Sequence, residues 1–143
     1  MKTRPRWFYK QSGVIPYRMA GEEVEIMLIT SRRRARWIIP KGVVDLGSTP
    51  EESALKEAFE EAGIRGEATS PELGEYQYEK WGGTCRVKVY LMRVERVLDS
   101  WPESDTRERS WMTVERAAKA VKEARLKELI LSVPRSLTRL KLL

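Results

Sequence analysis

The order of the predicted elements, strand-strand-helix-strands-helix, favours an α+β fold in which helices cover a β-sheet as an α/β/α sandwich. Three observations predict it: two apolar-rich runs joined by a turn, one strongly capped amphipathic helix, and a long alternating hairpin that precedes a second helical region. At 143 residues the chain is long enough for one domain with its own core, and we expect residues 1–143 to form a single unit.

The first strands are predicted at residues 8–19 and 24–31, which are rich in apolar side chains and separated by a glycine-containing turn. A very short third strand is predicted at residues 37–39. The segment 41–48 has glycine near both of its ends and therefore predicts a loop.

The first helix has clear start and stop signals. Thr49 is a favourable N-cap, Pro50 suits the first helical position, and Glu52 stands three residues after the cap, as a capping box requires. Gly63 supplies the stop, which predicts a helix of about fourteen residues. At about 100° per residue, its apolar side chains share one face and its acids share the opposite face. The apolar set is Leu55, Ala58, Phe59 and Ala62, and the acids are Glu57, Glu60 and Glu61.

A hairpin is predicted from residues 72–81 and 84–97 around Gly82-Gly83, because its second arm alternates apolar and polar side chains. The remaining predicted elements are a strand at residues 109–112, a helix that Thr113 opens with a capping-box pattern, and a last helix at residues 126–133 that ends before Pro134.

Composition excludes several kinds of site. The chain has no His and one cysteine, Cys85, so imidazole ligands, an imidazole base, an internal disulfide and a cysteine zinc site are excluded. Catalysis would have to rely on carboxylates, Lys, Tyr or a metal. The formal net charge of +6 predicts attraction to polyanions. No signal-peptide or membrane-span pattern is found, so we expect a cytoplasmic protein without a membrane partner.

The acidic face of the first helix has two interpretations. Carboxylates on a helix surface are often simply solvated, and this interpretation stays open for any such trio. Like charges three and four residues apart repel one another by about a few tenths of a kcal/mol, however, and no Lys or Arg is expected at neighbouring positions on this face. A bound Mg²⁺ or Mn²⁺ ion would neutralise the acids, because carboxylate oxygens suit hard divalent ions.

The same residues carry a family resemblance. Residues 42–64, from Gly42 to the final EAFEEAGI, resemble the Nudix box: Gly, five residues, Glu, seven residues, then Arg-Glu-apolar-x-Glu-Glu-x-Gly-apolar. Two positions depart from this pattern, since Ser48 stands in place of the first Glu and Lys56 in place of the Arg. In the family these two residues are thought to pair and hold the loop against the helix. The departures therefore bear on loop rigidity and turnover, and leave the metal-binding carboxylates intact.

The resemblance implies a Nudix-type α/β/α sandwich with a mixed β-sheet between helices. It also implies a hydrolase that cleaves a diphosphate linkage with water and divalent ions. On this resemblance Glu57, Glu60 and Glu61 would bind Mg²⁺ or Mn²⁺ and carry catalysis, and the backbone carbonyl of Gly42 would be a further metal ligand. Either Glu61 or Glu57 would act as the general base.

Cations near the acidic helix predict a phosphorylated small-molecule substrate. The strand WIIPKG, the polybasic segment before it and residues 97–111 are similar to the diphosphoinositol polyphosphate and diadenosine polyphosphate branch of the family. This similarity implies a highly phosphorylated substrate. The expected phosphate-binding residues are Arg32, Arg34, Arg36, Lys41, Arg86, Lys88, Arg107 and Arg109, with Arg33 and Lys80 as further nearby cations. An additional metal ligand or base could come from Glu103, Asp105 or Glu108, although surface acids are the simpler interpretation.

Two alternatives stay open. A Nudix-fold module that binds a phosphorylated ligand without hydrolysing it is favoured by Ser48 and Lys56, but such modules usually lose the helix glutamates that this chain keeps. An RNA-end-processing hydrolase is suggested by the net charge, but no RNA-binding motif accompanies it, so nucleic acid is an open partner and not a favoured one. The sequence defines neither the exact substrate nor the oligomeric state.

Overall fold

The computed structural model describes residues 8–140. Within this part of the chain, seven strands form one sheet: β1 (Phe8–Ala20), β2 (Glu23–Thr30), β3 (Trp37–Ile38), β4 (Lys41–Val43), β5 (Ile64–Lys80), β6 (Gly83–Val97) and β7 (Arg109–Thr113). The helices are α1 (Pro50–Glu57), followed directly by a π-helical turn (Ala58–Ala62), then α2 (Val114–Ala120), α3 (Ala124–Leu131) and α4 (Val133–Arg139).

The sheet has the order β3-β2-β1-β6-β5, with β4 also paired to β1 and β7 also paired to β2. The β1 and β6 strands run parallel, whereas the other pairs run antiparallel, so the sheet is mixed as predicted. Because β1 is long, residues 11–13 pair with β4 and residues 17–20 pair with β2.

Helices cover both faces of the sheet, which confirms the predicted sandwich. Neighbouring β1 side chains point to opposite faces, as strand geometry requires. Ile15 packs in the cluster that α2, α3 and α4 complete, and Val14 packs in the cluster that α1 completes. The helix side chains buried in these clusters are small or aliphatic: Ala117, Leu126, Ile130 and Leu137 on the first face, and Ala54, Ala58 and Ala62 on the second.

Both predicted ends of the first helical segment are confirmed, at Thr49 and at Gly63, but its last turn is not α-helical. Thr49 and Glu52 exchange the two hydrogen bonds of a capping box, each of 3.1 Å. After Glu57 the chain widens into the π-helical turn, a geometry that is rare and often found at functional sites. Gly63 ends the turn with a φ of 65°, and a Cβ there would lie 2.8 Å from Trp101 and Arg109. Glycine is therefore required by both its backbone conformation and its neighbours.

Three predictions for the sheet need correction. Residues 41–43 form β4 and not a loop, because their backbone pairs with β1. The β5 strand begins at Ile64 rather than at residue 72, since β6 is long enough to pair with it from Val97 onward. Residues 65–72 are mostly polar or small, which hid this extension from the apolar pattern. The hairpin turn is formed by Trp81 and Gly82, whose φ angles are 55° and 69°, rather than by Gly82-Gly83.

The helices of the second half also differ in detail. The Thr113 hydroxyl accepts a hydrogen bond from the Arg116 backbone, so the N-cap is confirmed, but Arg116 at this position cannot complete a capping box. Pro134 does not mark the end of the helical region: it lies in the first turn of α4, where a missing N–H costs nothing. Among residues 8–140, no helix combines the length and apolar character needed to cross a membrane.

Candidate active site

A cavity of about 650 Å³ lies beside β4 and α1. Its residues come from β1, β4, the α1 region, the β5–β6 hairpin and the arginine-rich segment 31–36. We call it the central cavity. The charged side chains that line it are two acids, Glu57 and Glu61, and six cations, Arg32, Arg33, Arg36, Lys41, Lys80 and Arg107.

The two acids approach β4 from the helix. A Cβ at Gly42 would overlap the carboxyl group of Glu57, so the absence of a side chain at this position lets the carboxyl lie directly against the strand. Glu61 is only 7% exposed. Its Oε1 accepts a hydrogen bond of 3.0 Å from the Lys41 backbone, which ties the π-helical turn to the start of β4.

Burial perturbs the pKa of both acids. Burial, with the charges of Glu61 and Glu60, raises the pKa of Glu57 to about 8. Burial also raises the pKa of Glu61, although Arg107 and the Lys41 N–H favour its charged form. Two acids that resist ionising together are expected where a site is built for a positive ion.

Arg107 supports Glu61 from behind. Sequence reasoning predicted that it binds substrate phosphate, but its side chain is 5% exposed and its donors are occupied. It donates to Glu61 at 3.2 Å, to Glu103 at 2.8 Å and to the Thr30 carbonyl at 3.0 Å. Arg107 touches the cavity while its guanidinium holds the Glu61 carboxyl in place, so we correct its assignment to a positioning residue.

Glu60 lies differently from the other two acids. It does not line the central cavity, and its carboxyl is 4.0 Å from the Lys56 ammonium. The expectation that no cation neighbours this face is wrong, because Lys56 approaches Glu60 and Arg107 pairs with Glu61. Sequence spacing could not reveal Arg107, which is 46 residues from Glu61 along the chain.

Half of the predicted phosphate-binding residues do not line the cavity. Arg32, Arg36 and Lys41 do line it, as do the neighbouring cations Arg33 and Lys80. Arg34 points to the β6–β7 loop, where it is 3.7 Å from Glu108 and donates to the Asp105 carbonyl. Strand alternation turns two cations of β6 away from the cavity, since Val87, the residue between them, is buried on the opposite face of the sheet. These are Arg86, whose guanidinium lies 3.9 Å from the centre of the Phe8 ring, and Lys88.

The predicted phosphate-binding residue Arg109 does not line the central cavity, and its guanidinium is taken up by backbone oxygens. Its guanidinium donates to the carbonyls of Ala62, Gly63 and Leu98 and stacks on Trp101 at 3.9 Å. Trp101 in turn donates to the Glu61 carbonyl at 3.0 Å. Both side chains satisfy backbone oxygens that the end of the helix leaves free, and this stabilises the turn that carries Glu61.

Lys41 faces the acids from β4. Burial lowers its pKa to about 8, although Glu61 acts in the opposite direction. Its ammonium is 5.1 Å from the centre of the Tyr78 ring. A cation in this position is partly desolvated, so it would interact strongly with a phosphate that enters the cavity.

The three further acids suggested by the sequence lie on the β6–β7 loop. Glu103 joins two arginines, at 2.8 Å from Arg107 and 3.6 Å from Arg32. Its backbone also donates to the Glu60 carbonyl at 3.1 Å. Asp105 and Glu108 contact Arg34. Neither Glu103, Asp105 nor Glu108 lines the cavity; the carboxylates of Glu103 and Glu108 pair with arginines, and Asp105 accepts from Arg34 through its backbone carbonyl.

Lys56 has a carboxylate partner that the sequence pattern did not indicate. Its ammonium lies 3.1 Å from the Asp45 carboxylate, and the Asp45 backbone donates to the Ser53 hydroxyl at 3.0 Å. The ion pair therefore connects the loop after β4 to α1. This pair takes the place of the Glu–Arg pair of the family, with the acid at Asp45 instead of at position 48.

The Asp45–Lys56 pair makes a testable prediction. Asp45→Asn is expected to cause a small decrease in Tm, because an exposed pair contributes little. Ser48→Glu with Lys56→Arg should leave turnover nearly unchanged in the native background and should restore the lost stability in the Asp45→Asn background. Thermal unfolding and initial rates of hydrolysis measure both effects. A gain of several-fold in turnover from the double change alone would show that Asp45 does not replace the missing acid.

The available oxygen donors fit a hard divalent cation. The Glu57 and Glu61 carboxyls are adjacent, and the bare backbone of Gly42 lies against Glu57. Within residues 8–140, no three acidic side chains converge closely enough to form a complete site. The structure thus brings together two of the three predicted acidic ligands beside Gly42, and it leaves Glu60 outside.

Comparison with known proteins identifies the family. A model of the NUDIX domain matches residues 10–132. The chain belongs to the Nudix family. This membership makes the protein a hydrolase of pyrophosphate bonds, and Nudix hydrolases generally use divalent metal cations.

Individual Nudix relatives agree with this assignment. "Nudix hydrolase 16, mitochondrial" from Arabidopsis thaliana is 30% identical over 135 residues, which cover 82% of this chain and 74% of the relative. "Diphosphoinositol polyphosphate phosphohydrolase 3-beta" from Bos taurus is 31% identical over 119 residues, covering 82% and 71%. A crystal structure of a C. elegans Ap4A hydrolase binary complex superposes with a TM-score of 0.79 at 25% identity, covering 91% of this chain and 98% of that one. Among the Arabidopsis relatives, the matched share of the relative ranges from 74% for Nudix hydrolase 16 to 55% for Nudix hydrolase 4.

The perturbed acids of this Nudix site predict an unusual pH dependence of stability. Glu57 has an ordinary pKa of 4.5 and a folded pKa of about 8, so between these values the folded protein binds more protons than the unfolded chain. Stability without metal should therefore fall as pH rises from about 5 to about 8. Added Mg²⁺ should reverse the trend, because it stabilises the ionised acids and the folded state that binds it.

Thermal unfolding with chelator and with Mg²⁺, at pH near 5.5 and near 7.5, measures this effect. The chain has no His, so few other groups titrate in this range. Glu57→Gln should flatten the pH dependence in chelator. A metal-free Tm that rises between the two pH values would show that Glu57 is ionised throughout.

Proposed function

We propose that this chain is a pyrophosphohydrolase that requires Mg²⁺ or Mn²⁺ and cleaves a diphosphate linkage in a nucleoside polyphosphate, a diadenosine polyphosphate or a diphosphoinositol polyphosphate. One observation carries the proposal: the acid pair Glu57 and Glu61 and a group of cations line the same cavity. The acids suit a metal ion, and the cations suit the phosphates of the substrate.

The charge balance of the cavity favours a substrate with several phosphates. Six cations and two acids line it, a local excess of four positive charges. Arg32, Arg33 and Arg36 come from one short segment, which is held in shape by hydrogen bonds from Ser31 to Arg36 and from Arg34 to Ser31. An ordered row of arginines is well suited to bidentate binding of phosphate oxygens.

The side chains divide the chemistry among them. A bound divalent cation would neutralise phosphate oxygens and lower the pKa of an attacking water. Glu57 or Glu61 would accept the proton of that water, since both carboxyls reach the cavity. Arg107 would keep Glu61 oriented, and Lys41 would bind the phosphate oxygens that gain charge. Gly42 would contribute its carbonyl oxygen to the cation.

A substrate screen tests the proposal. Nucleoside triphosphates, diadenosine polyphosphates, diphosphoinositol phosphates and 5′-triphosphorylated RNA are each incubated with Mg²⁺, with Mn²⁺ and with chelator, and the products are resolved by chromatography. We expect metal-dependent cleavage of a diphosphate linkage in a small molecule. Tight binding of these compounds without cleavage would instead support a non-catalytic binding module, and cleavage of RNA alone would support RNA-end processing.

The cellular location is a separate proposal. We expect a cytoplasmic protein, as composition predicted, whereas several plant relatives carry mitochondrial or chloroplastic in their names. Fractionation of the cells that express the protein would test this.

A further inference from the structure

The β5–β6 hairpin places a solvent-exposed tryptophan in the lining of the central cavity. Trp81 lines the cavity and is 55% exposed. Of the other exposed large hydrophobic side chains of the strands and loops, Val43 also lines this cavity, whereas Phe8, Met19, Leu46 and Val97 do not. An exposed indole beside a phosphate-binding cavity needs an explanation, because packing into the core would bury the same ring more favourably.

The backbone at Trp81 adopts an unfavourable conformation that leaves the ring exposed to solvent. Trp81 has a φ of 55°, in the left-handed region that bulky residues rarely adopt. Its indole contacts the Tyr9 ring nearly edge-on, with ring centres 5.1 Å apart at an angle of 76°. The Tyr9 hydroxyl also donates to the Trp81 carbonyl at 3.3 Å. The turn and Tyr9 together fix the position of an indole that remains accessible to solvent.

Cations accompany the aromatic rings of this side of the cavity. The Lys80 ammonium is 4.7 Å from the centre of the Trp81 ring, and the Lys41 ammonium is 5.1 Å from the centre of the Tyr78 ring. Tyr78 is held by a 2.7 Å hydrogen bond to Gln11, which also lines the cavity. The same cavity is therefore lined by an exposed indole, by cations next to aromatic rings, and by the acid pair.

We infer that Trp81 is the stacking surface for the nucleobase of a nucleoside polyphosphate. This inference rests on the proposed function for the phosphate end of the ligand and adds the group that distinguishes the substrate class. A purine or pyrimidine is planar and stacks on an aromatic ring. An inositol ring is neither planar nor aromatic and gains little from an indole. Lys80 beside the Trp81 ring and Lys41 beside the Tyr78 ring would meet the phosphates attached to the ribose.

Equilibrium binding without turnover tests the inference. Calorimetry in chelator compares a non-hydrolysable dinucleoside tetraphosphate analogue with inorganic tripolyphosphate, which has no base. Trp81→Ala should weaken binding of the dinucleotide roughly 10- to 100-fold, the usual effect of removing a stacking partner, and should change tripolyphosphate binding less than about twofold. Trp81→Phe should recover most of the affinity, because a smaller ring still stacks.

Phe8→Ala is the matched control. Phe8 is 46% exposed and does not line the cavity, so neither ligand should be affected. Equal weakening of both ligands by Trp81→Ala would overturn the inference in favour of a structural role, and so would unchanged binding of the dinucleotide. A loss seen only with 5′-triphosphorylated RNA would overturn the assignment to a small nucleotide. Because no cleavage is measured, a protein that failed as a hydrolase could still confirm the base-binding surface.

Discussion

Glu57→Gln is expected to lower turnover at least about 10²-fold and to raise the Tm of the metal-free protein near pH 8. The two effects have one cause. Burial and the neighbouring charge of Glu61 disfavour the ionised Glu57 carboxyl, which raises its pKa to about 8, so the charged form destabilises the folded protein. Glutamine keeps the shape of the side chain and removes the charge, which also removes a metal ligand and a candidate base. A gain in stability with a loss of function is typical of sites built for activity.

Initial rates with Mg²⁺ and thermal unfolding in chelator measure the two effects on the same protein. Glu115→Gln, at the exposed start of α2, serves as the matched control and should change neither. A metal-free Tm that falls in Glu57→Gln would contradict the strained acid pair. Glu60→Gln adds a comparison: the sequence predicts a similar loss of turnover, so a normal rate would agree with its place outside the cavity.

Arg107→Met is expected to destabilise the protein by about 3–5 kcal/mol, the usual cost of removing one partner of a buried ion pair. The reason is that methionine would leave the Glu61 and Glu103 carboxylates without their shared partner and the Thr30 carbonyl without its donor. At this chain length the Tm should fall by about 10 °C or more. Turnover at low temperature should fall as well, because Glu61 loses its orientation.

Arg86→Met is the control, since Arg86 is exposed and packs on Phe8 away from the cavity. It should cost no more than about 1 kcal/mol, the range of an exposed cation–π contact. Arg107→Lys separates the roles further: it keeps the charge but cannot reach three acceptors at once, so Mg²⁺ affinity should weaken while the protein stays folded. If Arg107 instead bound phosphate, Arg107→Lys would raise KM for the substrate and leave Tm and metal affinity unchanged.

Local sequence determined the start of α1, the existence of the β5–β6 hairpin and the position of the acids, but not the turn residues of the hairpin or the start of β5. The capping box of Thr49 and Glu52, and the alternation of β6, depend on neighbouring residues alone. The spacing of Glu57 and Glu61 places them one turn apart on any helix, so their adjacency was also predictable. Each of these features depends on contacts between residues that are only a few positions apart in the chain.

Distant contacts decided the rest of the site. Lys41–Val43 became a strand only because β1 offered a free edge, and Arg107 reached Glu61 only because the β6–β7 loop crosses the end of α1. Arg86 and Lys88 were predicted from charge alone, and strand alternation turned them from the cavity. The sequence by itself determined that this chain carries clustered acids on a helix within a basic sandwich. Only the tertiary structure decided which cations face those acids, because that choice depends on pairings between residues far apart in the chain.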